Sequence, residues 1–375
     1  MLSFTINPNL IQSLIELQAK FALNYNKLNS LGSDERDYIH RNVRISMIGA
    51  STRIENAILT DNEISWMDTI LTQDGKTTAF QNQKQHIEAK FSKDRERSIE
   101  EVAGCRAMLS IIYEQAKDML PLTESHIRGL HSELLRYYEK SNHYRGQYKK
   151  NSNSVAEVNH QTGTQKDVFK TADPGPITKV AMTDLVEWYN QAIGEEPWIL
   201  GTAVEFVFRF LAIHPFQDGN GRLGRGLFLL SLLQCPNEHI AFVSRYLAID
   251  RHIEKNKEEY YLVLQRCSDG KFKENPKKYR IEIFLQFMIK VLNQAFKDIE
   301  HYQKKFNLFI NLAPSALTVL ECFKDEPEMR LKTSDLVSKT GLPRRTVSNA
   351  LESLHEAGFI QRYGQGPGVR YQIIF

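Results

Sequence analysis

The stretch FVFRFLAIHPFQDGNGRLGRGLFLLSLL, Phe206 to Leu233, decides how this 375-residue chain is read. Its flanks are apolar enough for two buried helices. Between them, HPFQDGNGRLGR (His214–Arg225) gathers a histidine, a carboxylate, three glycines and two arginines. A corner between two core helices needs none of these groups together, so the segment is read as a site. Gly219, Asn220 and Gly221 can turn several backbone N–H groups into one concavity, and the following helix adds its positive end. Arg222 and Arg225 stand three apart, can share a helix face and grip phosphates by bidentate contacts. Asp218 offers a hard oxygen ligand for Mg²⁺, and His214 accepts a proton near neutral pH.

Helical spacing dominates outward from this segment. NLIQSLIELQAKFALNYNKL places Leu10, Ile11, Leu14, Ile15 and Leu17 on one face. RDYIHRNVRISMIGASTRIENAIL predicts a second helix over about 36–59, and DNEISWMDTIL a third with Asp61 as N-cap. TQDGKTTAFQNQKQ reads as a polar separator. Within 143–177, SVAEV and KDVFK alternate across NHQTGTQ, which predicts a β-hairpin inside an otherwise helical protein. After about 310 the pattern becomes helix, turn, helix, hairpin: TSDL opens a helix with a hydroxyl cap, TGLP turns, Gly358 closes TVSNALESLHEAG, and GQGPG tips a hairpin. These features predict three parts: a helical region at 1–95, a core at 96–300 and a winged helix-turn-helix at 309–375.

Composition narrows the classes. With 42% hydrophobic and 25% charged residues, the chain has the composition of a soluble globular protein. No apolar run approaches the roughly 20 residues of a membrane span, and MLSFTINPNLIQSLIELQAKF lacks the pattern of a signal peptide. Cys105, Cys235, Cys267 and Cys322 lie far apart with no metal-site spacing, so a reducing, cytoplasmic setting is expected. A net charge of +3 does not by itself argue for nucleic acid.

HPFQDGNGRLGR also matches, at every specified position, the HPFx[D/E]GNGRxxR motif of the Fic family, and the chain resembles that family from end to end. The resemblance implies a mainly α fold: a Fic helical core with a small hairpin flap, an N-terminal helical region and a C-terminal winged helix. It implies a protein AMP transferase, in which His214 deprotonates a target Ser, Thr or Tyr hydroxyl that attacks the α-phosphate of ATP. By the same resemblance Asp218 holds Mg²⁺, and Gly219, Asn220, Gly221, Leu223 and Gly224 line the ATP site. Arg222 and Arg225 take the β- and γ-phosphates, and Phe216 anchors the loop. ASTRIENAIL looks like the family's [S/T]xxxE[G/N] inhibitory motif, with Ser51, Glu55 and Asn56 at its fixed positions and Glu55 competing with phosphate for Arg225.

The hairpin at 148–172 resembles the flap that docks a target segment, and IEKNKEEYYLVL resembles the stretch closing the nucleotide site. Asn256 is its candidate nucleotide contact, with Tyr260 or Tyr261 nearby. A homodimer also fits the resemblance. Same-class rivals are removal of AMP and transfer of another nucleotide-derived group, while a nucleotide-sensing transcription regulator comes from a different class. For 309–375, eight Lys+Arg against seven Asp+Glu leave DNA binding weakly supported, although Arg344, Arg345, Arg362 and Arg370 could form a patch. A protein-contact module is the other reading.

Overall fold

The fold comes from a computed structural model that describes all residues except 74–75, 78–79, 92, 159–164, 196–197 and 375. The described residues form two compact units, one of Met1–Ala57 with Arg97–Ile299, the other of Ile58–Glu96 with Glu300–Phe375. Packing thus joins segments far apart along the chain. No described helix is long and apolar enough to cross a membrane.

The larger unit is built around the helix Ile199–Ile213, which packs against Asn220–Leu233 on one side and Pro176–Glu195 on another. Phe206, Phe208, Phe210, Leu227, Leu229 and Leu230 are nearly fully buried there, so the loop between these two helices springs from buried, closely packed elements. Ser33–Ile54 buries Ile39, Val43, Met47, Ala50 and Ile54 at helical spacing and packs against Ile249–Lys255. Pro8–Asn29 begins where Asn7 accepts the Leu10 N–H at 2.9 Å, and it packs on Glu238–Ser244. The expected hairpin forms as antiparallel strands Ser154–Val158 and Gln165–Lys170, with a register shift at Val155/Ala156.

The smaller unit holds helices Pro314–Lys324, Thr333–Thr340 and Arg344–Glu356 and strands Ile360–Tyr363 and Arg370–Ile373. Val319, Phe323, Leu336, Val347, Leu351 and Leu354 close its core. Gly341 at φ 68° makes the turn before the second helix of the motif.

Several local expectations need correction. Thr60, not Asp61, caps the helix Asp61–Leu71: its hydroxyl accepts the Glu63 N–H while Glu63 Oε2 accepts the Thr60 N–H, a capping box that leaves Asp61 in the first turn. Thr333–Thr340 starts without a hydroxyl cap; Asp335 Oδ2 reaches back to the Lys332 N–H at 2.9 Å. Within the polar stretch, for which no element was expected, Thr72–Gln73 pairs with Lys76–Thr77 and a helix runs from Phe80 to Lys90. That helix buries only Phe80 and Ile87, too few apolar positions for periodicity to betray it.

Candidate active site

The site begins where the helix Ile199–Ile213 ends. His214 caps it in the left-handed region, φ 53°, with its N–H still bonded to the Phe210 carbonyl at 2.9 Å. A non-glycine residue there costs about 1–2 kcal/mol, and the flanking contacts hold it in place. Phe216 is fully buried and stacks on His131, ring centroids 3.8 Å apart. Asn220 folds back on it, accepting the Phe216 N–H at 2.9 Å and donating to the Phe216 carbonyl at 2.7 Å. Gly219 supplies a positive φ of 78° directly before the helix Asn220–Leu233, and its N–H donates to Asp218 Oδ1 at 2.6 Å.

His131 fixes the loop from beneath. Its Nδ1 accepts the Gly146 N–H at 2.8 Å, which leaves Nε2–H to donate to the Asp218 carbonyl at 2.9 Å. One tautomer therefore satisfies both bonds. Burial holds this imidazole down to about 4, so it acts as a neutral strut.

His214 is also kept neutral. Burial, then the charge of Lys149, pushes its pKa to about 4, against smaller opposing pulls from Glu55 and Asp218. Nδ1 lies 3.3 Å from the Leu211 carbonyl, which can only accept. Nδ1–H is thus the donor, and Nε2 carries a lone pair able to take a proton.

Arg222 is 3% exposed, yet its Nε and Nη1 make no hydrogen bond. Its nearest carboxylates are Asp218 Oδ1 at 3.4 Å and Glu101 Oε1 at 3.7 Å. A buried guanidinium with unspent donors is costly unless an anion completes it. Asp218 keeps a partly exposed carboxylate whose Oδ2 meets Arg97 only at 3.5 Å. Such an oxygen beside an incomplete arginine fits a hard cation that arrives with phosphates.

Arg225, by contrast, is engaged through Nε and Nη2. Nε donates to Ser51 Oγ at 3.0 Å, and Nη2 donates to the Ser51 carbonyl at 2.7 Å and to Glu55 Oε1 at 3.0 Å. Asp250, 2% exposed, stands 3.7 Å from Nε. Burial lifts Asp250 to about 6, with Arg225 pulling the other way. Glu55 follows the last turn of Ser33–Ile54, and Asn56 leaves in the left-handed region at φ 72°. The Glu55 carboxylate lies so close over Gly221 that a Cβ there would overlap Oε1. Gly221 thus makes room for the Glu55 carboxylate as it is seated here, whereas Gly219 is needed for its φ.

The structure therefore brings Ser51 and Glu55 onto Arg225, Glu55 over Gly221 and Asp218 beside Gly219 and Arg222, with Glu55 and Asp218 within electrostatic reach of His214. Leu223 is fully buried, and Gly224 faces Leu211 and Phe210 on the core side of the helix. Asn256 sits between Ile249–Lys255 and Lys257–Ser268, its amide donating to the His252 carbonyl at 2.7 Å and to Gln294 Oε1 at 3.3 Å. Buried Tyr260 lies within electrostatic reach of Arg225 and Glu55, and burial pushes its hydroxyl up to about 12. Lys257 Nζ reaches Asn56 Oδ1 at 3.3 Å.

Sequence reading missed His131, Lys149, Asp250 and the Arg97–Glu101 pair at 2.7 Å. The one available signal was His131 itself, polar on a helix face otherwise made by Ile127, Leu130 and Leu134.

This arrangement, a helical core with a loop between two buried helices, lies in a segment that matches a known family. Residues 121–232 match the Fic/DOC family model, and residues 316–364 match the IclR helix-turn-helix domain. The chain thus carries a Fic/DOC domain followed by a winged helix; Fic-domain proteins generally transfer nucleotide-derived groups to proteins. Among solved structures, a Fic family protein from Desulfovibrio desulfuricans is similar over 100% of this chain and 98% of its own, with TM-score 0.54 at 22% identity. A Fic domain containing signaling protein from Bacteroides thetaiotaomicron covers 77% of this chain and 97% of its own, TM-score 0.54 at 23% identity. Fic-1 from C. elegans covers 78% and 71%, TM-score 0.52 at 15% identity. At these identities the likeness concerns the fold. No curated protein matches the chain.

Proposed function

We propose that this chain is a self-inhibited protein adenylyltransferase, moving AMP from ATP to a Ser, Thr or Tyr hydroxyl. The observation that carries the reading is the Glu55 carboxylate seated on Arg225 and over Gly221, beside a neutral His214. A carboxylate there occupies the ground a phosphate would need, so it acts as a competitor. In the transfer, His214 Nε2 takes the hydroxyl proton as the oxygen bonds to the α-phosphorus; the bond to the bridging oxygen breaks and diphosphate leaves. With its pKa lowered to about 4, His214 is unprotonated at neutral pH, and phosphoryl-type transfer depends more on positioning and charge neutralisation than on base strength. Arg222 offers its unspent donors to the leaving phosphates, and Arg225 joins once Glu55 withdraws. Mg²⁺ held by Asp218 would neutralise phosphate charge. The 148–172 hairpin would dock the target segment by main-chain pairing, and Asn256 would exchange its Gln294 contact for the nucleotide. In this scheme 96–300 is the catalytic core, 1–95 carries the inhibitor and 309–375 is a separate module.

Incubation with α-labelled ATP and lysate tests the reading. Glu55→Gly should label protein, and His214→Ala in the same background should not. Absence of label from Glu55→Gly at saturating ATP sinks it. The IclR-type helix-turn-helix favours a second function, DNA contact through Arg344–Glu356, since Arg344 and Arg345 are exposed at its start.

A further inference from the structure

Lys149 has no role assigned from the sequence and is 3% exposed, although a buried ammonium is costly unless its three protons are met. All three are met, and by three different segments. Nζ donates to Asn153 Oδ1 at 2.8 Å, to Thr171 Oγ1 at 2.8 Å and to the Ile213 carbonyl at 3.1 Å. Asn153 immediately precedes the first hairpin strand, Thr171 immediately follows the second, and Ile213 immediately precedes His214. The same junction carries more bonds: the Lys149 N–H donates to the Pro215 carbonyl at 2.8 Å, Asn153 Nδ2 to the Phe216 carbonyl at 2.8 Å, and Thr171 Oγ1 to the Asn153 carbonyl at 2.7 Å.

We propose that Lys149 is a positioning residue: its ammonium fastens both roots of the hairpin to the carbonyl end of the helix that presents His214, so that hairpin and base keep one register. The inference rests on the reading of the hairpin as target-docking element and His214 as base. An apolar side chain would fill the space, yet it would leave three oxygens without this donor. A neutral amide could meet some of them but would remove the charge that faces His214.

The charge matters separately from the bonds. His214 faces Lys149 on one side and the carboxylates Glu55 and Asp218 on others, while Lys149 faces Asp173 as well as His214. Burial lowers Lys149 to about 8, with Asp173 opposing, so the ammonium is retained at neutral pH and helps keep His214 unprotonated.

The test uses the full-length chain without nucleotide, as wild type, Lys149→Met and Lys149→Gln. Hydrogen exchange is followed in peptides covering 148–153 and 170–172, and the His214 imidazole is titrated by NMR of histidine-labelled protein. Lys149→Met should speed exchange at both roots by at least about tenfold, the factor given by losing one charge-assisted hydrogen bond. Lys149→Gln should recover much of that protection. Both variants should titrate His214 at higher pH than wild type, because neither carries the charge. Unchanged root exchange in Lys149→Met, an unmoved His214 titration in both variants, or protection lost equally throughout 199–233 overturns the proposal. Self-labelling from α-labelled ATP in the Glu55→Gly background is measured alongside. Absence of label with Lys149 intact refutes the transferase reading alone, and exchange and titration still decide Lys149.

Discussion

Replacing Glu55 with Gly should tighten ATP binding by about five- to thirtyfold, and the structure fixes both the sign and the scale. Glu55 Oε1 accepts from Arg225 Nη2 at 3.0 Å, with the arginine side chain 2% exposed and the glutamate 32% exposed. A buried charge-assisted bond contributes about 1.5–3 kcal/mol, and the solvent on Glu55 reduces this to about 1–2 kcal/mol. A phosphate that takes Arg225 must overcome that amount, at tenfold per about 1.4 kcal/mol. Arg225 is not orphaned by the change, since Ser51 keeps two of its hydrogen bonds and Asp250 stays 3.7 Å away. The fold should therefore survive.

The assay is calorimetric titration of Mg·ATP and Mg·ADP into His214→Ala and into His214→Ala/Glu55→Gly, so that no turnover intrudes. ATP should gain and ADP should not, because on the proposed reading Arg225 meets the terminal phosphate. An ATP affinity within about twofold in the two proteins would refute the reasoning, as would an equal gain for ADP.

Other consequences can be measured independently. His131→Phe keeps a ring to stack on Phe216 but deletes the bonds to Gly146 and Asp218; it should cost about 2 kcal/mol in urea unfolding, and equal stability would show that the strut carries nothing. Burial holds His40 at about 3 and His131 and His214 at about 4, all below 6.5, so each contributes stability present above pH 6.5 and lost as pH falls toward 4. Asp250, raised to about 6, acts in the opposite sense between 6 and 3.8. His40→Phe should therefore flatten the loss of stability between pH 6 and 5 by about 1.4 kcal/mol per unit, and an unchanged slope in urea titrations argues against a buried neutral His40. Replacing Arg344 and Arg345 with Ala should weaken non-specific duplex binding and reduce the salt slope by about two; a wild type that binds no duplex at low salt reassigns the module to protein contact.

The twelve residues from His214 to Arg225 were legible because one short loop needs all of its chemistry contiguous. The contact of Glu55 with Arg225 was legible only through the spacing of Glu55 from Ser51 and Asn56. His131, Lys149 and Asp250 were not, because each earns its role from a partner brought close by packing: Phe216, Ile213 and Arg225. Sequence also blurred two glycines into one explanation. Gly219 turns the chain at φ 78°, while Gly221 is helical and clears space for the Glu55 carboxylate.

The two motif arginines stand in unlike states, and the difference bears on how inhibition would work. Arg225 has carbonyl, hydroxyl and carboxylate partners from Ser51 and Glu55, whereas buried Arg222 has two nitrogens that make no hydrogen bond, the nearest carboxylate to Nη1 being Glu101 Oε1 at 3.7 Å. Completing Arg222 with an anion displaces no hydrogen-bonded internal partner of those two nitrogens, and completing Arg225 means dislodging Glu55. A resting chain of this kind should admit the nucleotide at Arg222 and refuse the last phosphate at Arg225. Inhibition would then act on the seating of the triphosphate rather than on entry to the site, and ATP should remain bound at rest with its reacting bond misaligned.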